Sequence, residues 1–213
     1  MIIKPFRLYE NPGWGSAIVE AQLAVYHLPY ELVPAGGNNS EAAVQAAMTG
    51  VNPVLQVPAM VLPSGEVMTE TAAMTLYLAD VAVSDHLVPR PEDPDRAAFL
   101  RWLIFLVAAV YPSFAYGDVP TRFVPEAGAA AFQARVIEHR CAMWRVMQAE
   151  AAQRGGPWFL GQRLSAIDIY LACMVHWRPK QEWFRAEAPN LLQIAETAGA
   201  SPDIAAVMAR NFG

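Results

Sequence analysis

The chain has 213 residues, more than the commonest single-domain size, so two domains fit it as well as one. Hydrophobic residues make up 54% and charged residues 16%, with six Trp, nine Phe and seven Tyr, which supplies a sizeable core and excludes a disordered chain. A net charge of −5 without any basic stripe argues against a nucleic-acid partner, and two cysteines, Cys141 and Cys173, are too few and too far apart for a disulfide framework.

Met1-Ile2-Ile3-Lys4-Pro5 lacks the basic segment and uninterrupted apolar run of a signal peptide. The longest apolar stretch, Leu103 to Tyr111, falls short of the about 20 residues that a bilayer requires, so a soluble cytoplasmic protein is expected. Phe6 to Tyr9 reads as a strand closed by the turn triplet Asn11-Pro12-Gly13. Ser16 stands at a plausible N-cap, and Ile18, Val19, Leu23 and Val25 recur at helical spacing. Tyr30 to Val33 is a second strand, and parallel pairing with the first suits the intervening helix. Gly36 to Ser40 is a polar loop in which Asn38-Asn39-Ser40 matches a glycosylation sequon by chance, and Glu41 to Met48 is a short helix. Val57-Pro58 opens an aliphatic run, where proline is tolerated at a strand start, an edge or a tight turn and where a cis bond is possible. Ser64-Gly65 turns a hairpin between Ala59–Leu62 and Glu66–Met68. Glu70 and Thr71 then place a carboxylate and a hydroxyl at the first turn of an apolar helix over 71–82, a corner suited to the charged ends of an amino acid.

From Pro89 the composition changes. Pro89-Arg90-Pro91-Glu92-Asp93-Pro94 is a linker, and the rest carries helical periodicity. One helix is expected from Asp95 to Tyr111, broken by Pro112, and a long one from Glu126 to Arg154, stopped by Gly155-Gly156-Pro157. Ser165 to Asp168 forms a capping box ahead of a helix, Ala166 to Trp177, that is apolar on nearly all sides. Two shorter helices follow, around Gln181–Ala186 and Pro202–Arg210. The fold class is therefore an α/β thioredoxin-like N-terminal domain, 1–84, followed by an all-α helical domain, 85–213, with 85–94 as its linker.

Four features in this order resemble the cytosolic glutathione S-transferase family over nearly the whole chain. They are Leu8-Tyr9 with Asn11-Pro12-Gly13 and Ser16; Asn52-Pro53 through Gln56-Val57-Pro58; Gly65 through Glu70-Thr71; and Phe159-Leu160-Gly161 with Ser165 to Asp168. The resemblance implies glutathione as co-substrate, conjugation to small hydrophobic electrophiles, and a homodimer. It implies that Glu70 and Thr71 hold the γ-glutamyl end, that Val57 pairs its backbone with the cysteinyl residue beside Pro58, and that Gln56 offers a side-chain contact. The thiolate is the nucleophile, and a free thiol with a pKa of about 8.5 is mostly protonated at neutral pH, so a donor is required at the sulfur. Ser16, Tyr9 and Asn11 are the three candidates. Trp14, Tyr111, Phe114 and Tyr116 are candidates for an apolar electrophile pocket between the domains.

His27, His86, His139 and His176 have no metal-ligand spacing, so no metal is expected. Three departures from the family pattern stand out: Leu55 where glycine is usual, Gly15 where bacterial relatives carry a cysteine, and Gln193, Glu196 and Thr197 where basic and aromatic residues are usual. The rival reading is a non-catalytic carrier of the same fold. Thiol–disulfide exchange is disfavoured because no cysteine precedes Cys141.

Overall fold

The computed structural model describes residues 4–36 and 41–213, and the expected polar loop with its sequon lies outside them in part, at 37–40. Two compact units form, one from 1–88 together with 199–213 and the other from 89–198. The last helix therefore belongs with the α/β unit, whereas the sequence reading placed everything beyond 84 in the helical domain.

The α/β unit contains β1 (Phe6–Glu10), α1 (Ser16–Val25), β2 (Tyr30–Pro34), α2 (Glu41–Met48), β3 (Ala59–Val61), β4 (Val67–Met68) and α3 (Thr71–Ala82). Its sheet has the order β2-β1-β3-β4, with β1 and β2 parallel and the other pairs antiparallel. Alternation along β1 sorts the two faces. Phe6 and Leu8 enter one buried cluster with Val19 and Leu23 of α1, Met60, and Met74 and Leu78 of α3. Tyr9 turns the other way, onto Ala35, Val44, Met48 and Ala59. The hairpin closes as its sequence demands: Gly65, at φ 93, donates its N–H to Leu62 O at 2.8 Å, and Glu66 N–H is taken by Ser64 Oγ at 3.3 Å.

The helical unit runs through α4 (Arg96–Phe105), a π-helical turn (Leu106–Val110), α5 (Pro112–Asp118), a 3₁₀ turn (Pro120–Arg122), α6 (Glu126–Arg154), α7 (Ala166–Met174), α8 (Gln181–Glu187) and α9 (Pro189–Gly199). The expected break at Pro112 is instead a π bulge. Proline lacks an N–H and its ring meets the carbonyl four residues back, and the wider turn, closed by Tyr111 N–H to Leu106 O at 2.8 Å, makes room for it. Residues 96–118 consequently form one run of 23 residues that is long and apolar enough to cross a membrane by length and composition, so the shortness of Leu103–Tyr111 is no argument against a span. Its face bearing Phe99, Trp102, Leu103, Leu106, Val110 and Phe114 is buried within the protein, as in a core helix.

Arg140, fully buried on α6, ties this bend. Its Nε donates to Ser113 Oγ at 2.8 Å, a second nitrogen to Ser113 O, and Nη1 to Arg178 O at 3.0 Å, while its guanidinium lies 3.9 Å from the centre of the Phe114 ring. Burial lowers its pKa to about 10 against the pull of Asp118. The α7 helix stops at Met174 rather than Trp177, because Pro179 disfavours a helical residue before it; the Arg178–Pro179 bond is cis and Lys180 sits at φ 76. The α9 helix was not anticipated as an element of its own. The last helix, α10 (Pro202–Phe212), returns to the α/β unit.

The capping box forms in full. Asp168 is completely buried, and it accepts Phe159 N–H at 2.7 Å, Ser165 N–H at 2.7 Å and Ser165 Oγ–H at 3.0 Å. Trp102 and Phe159 meet edge to face nearby, with centroids 5.4 Å apart. Burial raises the Asp168 carboxyl from 3.8 to about 6, opposed by those hydrogen bonds. Replacing it with Asn removes a bifurcated acceptor and turns an amide N–H₂ toward a donor, at a cost of about 2 kcal/mol. The folded chain holds the Asp168 proton more tightly than the unfolded one, so this group adds stability as pH falls from 7 through about 6 toward 3.8. Asn does not titrate; thermal melts of the parent and Asp168→Asn are therefore expected to differ more at mildly acidic than at neutral pH.

Candidate functional site

Antiparallel pairing of β3 with β1 runs through Arg7–Val61, Leu8–Met60 and Tyr9–Ala59, and ends there. Pro58 has no N–H to extend the ladder, and the Val57–Pro58 bond is cis. Among the described residues the backbone N–H and C=O of Val57 have no hydrogen-bond partner. Its backbone polar groups are therefore available to a ligand strand.

The approach to Val57 is fixed by a residue whose role the sequence reading passed over. Asn52 is 3% exposed, donates Nδ2–H to Gln56 O at 2.8 Å and accepts Val54 N–H on Oδ1 at 3.1 Å. An asparagine ahead of proline at the start of a turn is the signal that could have singled it out. Leu55 N–H closes the turn onto Asn52 O at 2.8 Å, and Leu55 adopts φ 55. That left-handed backbone explains why glycine suits this position, and contact of Leu55 with the cluster around Val44 and Met48 compensates its strain. Gln56 has its side chain in solvent, Val57 is half-buried and Pro58 is buried.

At the start of α3, Glu70 is exposed and Thr71 buried. Glu70 takes φ 67, ψ 106, a region in which a non-glycine residue is strained, and its carbonyl accepts Met74 N–H at 3.0 Å. No side chain caps the first turn of this helix. Its leading N–H groups and dipole therefore favour an anion, and the Glu70 carboxylate stands beside them for a cation.

The three candidate donors occupy different surroundings. Ser16 is the first residue of α1, with Gly15 in the N-cap position assigned to Ser16 from the sequence. It is completely buried, and its hydroxyl both accepts Asn11 N–H and donates to Asn11 O, each at 3.2 Å, which closes the loop on itself. Asn11 is completely buried in that loop. Tyr9 is half-buried on the face shared with Val57 and Trp14, and its hydroxyl oxygen accepts from Arg7 Nη2 at 3.3 Å, which leaves its own proton available. Trp14, Tyr9 and Val57 thus flank the same small cluster.

The electrophile candidates in the helical unit divide. Tyr111 and Phe114 join Trp177 in an edge-to-face trio with centroids 5.1–6.3 Å apart, and Phe114 is buried. Tyr116 lies elsewhere, half-exposed against Phe123 at 5.0 Å, on a cavity of about 410 Å³ shared with Ala108, Pro112, Ser113, Val136 and His139. Neither Cys141 nor Cys173 forms a disulfide, both are buried, and burial pushes the Cys141 thiol up. Among the described residues no group of three or more His, Cys, Asp or Glu side chains could hold a metal ion.

No family model matches the chain. It is, however, 35% identical over 205 residues to the GST-like protein YncG of Escherichia coli K12, covering 96% of this chain and 98% of that one. The chain belongs to the glutathione S-transferase family. It is 26% identical over 176 residues to glutathione S-transferase GST-4.5 of Xanthomonas campestris, covering 82% of this chain and 83% of that protein. A sphingomonad glutathione S-transferase solved in complex with glutathione superposes with a TM-score of 0.78 at 27% identity, covering 97% of this chain and all of that one. A thioredoxin-like domain with a helical domain is the fold of this family.

Glycine at position 70 would relieve the positive φ and is well tolerated at an N-cap, so Glu70→Gly is expected to raise stability by about 1 kcal/mol, read as an increase in the denaturation midpoint.

Proposed function

We propose that this chain is a glutathione transferase that conjugates the glutathione thiolate to small hydrophobic electrophiles. One observation carries the reading: the Val57 backbone N–H and C=O, unpaired among the described residues, beside Pro58 and next to the cluster that Tyr9 and Trp14 pack against. A tripeptide lying along that edge pairs its cysteinyl backbone with Val57. Its γ-glutamyl carboxylate meets the open N–H groups of α3 beside Thr71, and its amine meets the Glu70 carboxylate. The complex with glutathione solved for the sphingomonad relative supports the same ligand here.

For the sulfur, the uncommitted proton of Tyr9 makes its hydroxyl the donor, assisted by the N–H groups that open α1; among the described residues those of Gly15 and Ser16 have no partner. A donor to the anion lowers the thiol pKa, so that more nucleophile is present at neutral pH. Ser16, with its hydroxyl engaged by Asn11 in both directions, shapes the loop and does not meet the sulfur. Trp14 offers apolar surface to the second substrate. Neither cysteine takes part. The protein works as a cytoplasmic homodimer, and light scattering that reports a monomer would remove that part of the reading.

Retention on glutathione resin and conjugation of a generic aryl halide test the proposal together. The parent is expected to do both, and Tyr9→Phe to keep retention while losing turnover by about tenfold to a hundredfold. Ser16→Ala should lose turnover less than Tyr9→Phe does; the reverse order reassigns the donor. Glu70→Gly is expected to abolish retention while raising stability, and Cys141→Ser and Cys173→Ser to leave both readouts unchanged. Retention without turnover in the parent favours the carrier reading, to which the engaged Ser16 hydroxyl lends weight, and absence of both removes glutathione.

A further inference from the structure

The loop 11–15 is gripped from behind by two consecutive residues of α10. Asn211 Oδ1 accepts Gly13 N–H at 3.1 Å, and Asn211 Nδ2 donates to Glu20 Oε2 at 3.0 Å and to Val207 O at 2.9 Å. Arg210 Nε donates to Glu20 Oε1 at 3.0 Å, its Nη2 to Glu20 Oε2, and its Nη1 to Glu10 Oε2 at 3.3 Å. Glu10 ends β1 one residue before the loop, and Glu20 lies on α1 just after it; they are 5% and 3% exposed. Three points, before, within and after the loop, thus converge on one turn of one helix.

Two buried carboxylates within one turn of a guanidinium are held there by it, because a buried charge without a partner is costly. The Arg210 pKa is raised, chiefly by its hydrogen bond to Glu20, and the Tyr30 hydroxyl nearby is pushed up by burial and by the Glu20 charge. Contact is close: Gly13 sits at φ 78, and a Cβ there would lie 3.3 Å from Asn211 O.

We infer that Asn211 and Arg210 are positioning residues for the loop between β1 and α1, and that α10 thereby sets the geometry at which the N–H groups opening α1 meet the sulfur. The inference rests on the proposed function for its consequence in turnover and on the structure alone for the clamp. Neither residue is part of the anchoring corner at Val57, Glu70 and Thr71, so ligand affinity and turnover separate.

Hydrogen exchange and steady-state kinetics on the full chain test this. In Asn211→Ala, which leaves the ion pairs in place, exchange at Gly13 and its loop neighbours is expected to quicken by about tenfold while α3 exchanges as in the parent. Turnover of the aryl halide should fall by about fivefold to tenfold, the apparent thiol pKa should rise, and the glutathione Kd should move by less than about twofold. Arg210→Lys, which keeps one charge but cannot fork between two carboxylates, should give the same pattern. Loop exchange unchanged from the parent in both variants overturns the clamp, and a Kd that worsens as much as turnover overturns the positioning role. A parent that binds no glutathione defeats the proposed function instead, and the exchange measurement still decides the clamp.

Discussion

The β1–β3 ladder stops at Ala59, and what the molecule can bind follows from that stop. A proline at the next position removes the donor that would have carried the ladder on, so the backbone at Val57 is unpaired among the described residues. An unpaired edge in the interior of a sheet would be a liability, open to any passing strand. Here it is two residues long, bounded on one side by the turn that Asn52 ties and on the other by β3 itself.

Two non-glycine residues on either side of this edge, Leu55 and Glu70, hold left-handed backbones. Their reasons differ. Leu55 is held by packing, its side chain against the cluster beneath α2, so its strain is offset within the hydrophobic core. Glu70 is exposed and has no such contact in the α/β unit, yet it is a glutamate where a glycine would fit the backbone better. Under the proposed function that strain is repaid by the ligand amine that the carboxylate meets.

Much of this was legible in the chain. The spans of α2, α3 and α6 follow directly from apolar spacing, with the stop signals Gly155-Gly156-Pro157 ending α6, because local preference and packing agree along them. The hairpin at Ser64-Gly65 and the box at Ser165 to Asp168 were readable for the same reason: each is a local arrangement with a local code. What stayed hidden depends on distant partners. The π turn that Pro112 requires is held by Arg140, some thirty residues on, which donates to the carbonyl and hydroxyl of Ser113. The return of α10 to the α/β unit rests on Glu10 and Glu20 finding Arg210 nearly two hundred residues away. Val57, Glu70 and Thr71 could be named as candidates from the family resemblance, but whether a hydroxyl is free or spent could not be read from the chain. The closure of the Ser16 hydroxyl on Asn11 is such a detail, since it depends on how the loop folds back.

Each unit is thus organised around one arginine, and the two are solvated in opposite ways. Arg140 gives its N–H groups to a hydroxyl and to carbonyl oxygens and rests on an aromatic face; burial lowers its pKa because neutral acceptors only partly replace water. Arg210 faces two carboxylates and its pKa is raised. The first arrangement is a spacer: it fills the bend at Ser113 and the turn at Arg178 and has no second favourable position. The second is a fork between charges borne by separate elements, and its strength depends on both carboxylates being ionised. A charged fork therefore belongs where a loop must be held in one of several accessible shapes, and a neutral cradle where the only requirement is that a bent helix keep its bend. The loop it holds runs from the end of β1 into α1, the two elements that carry Glu10 and Glu20.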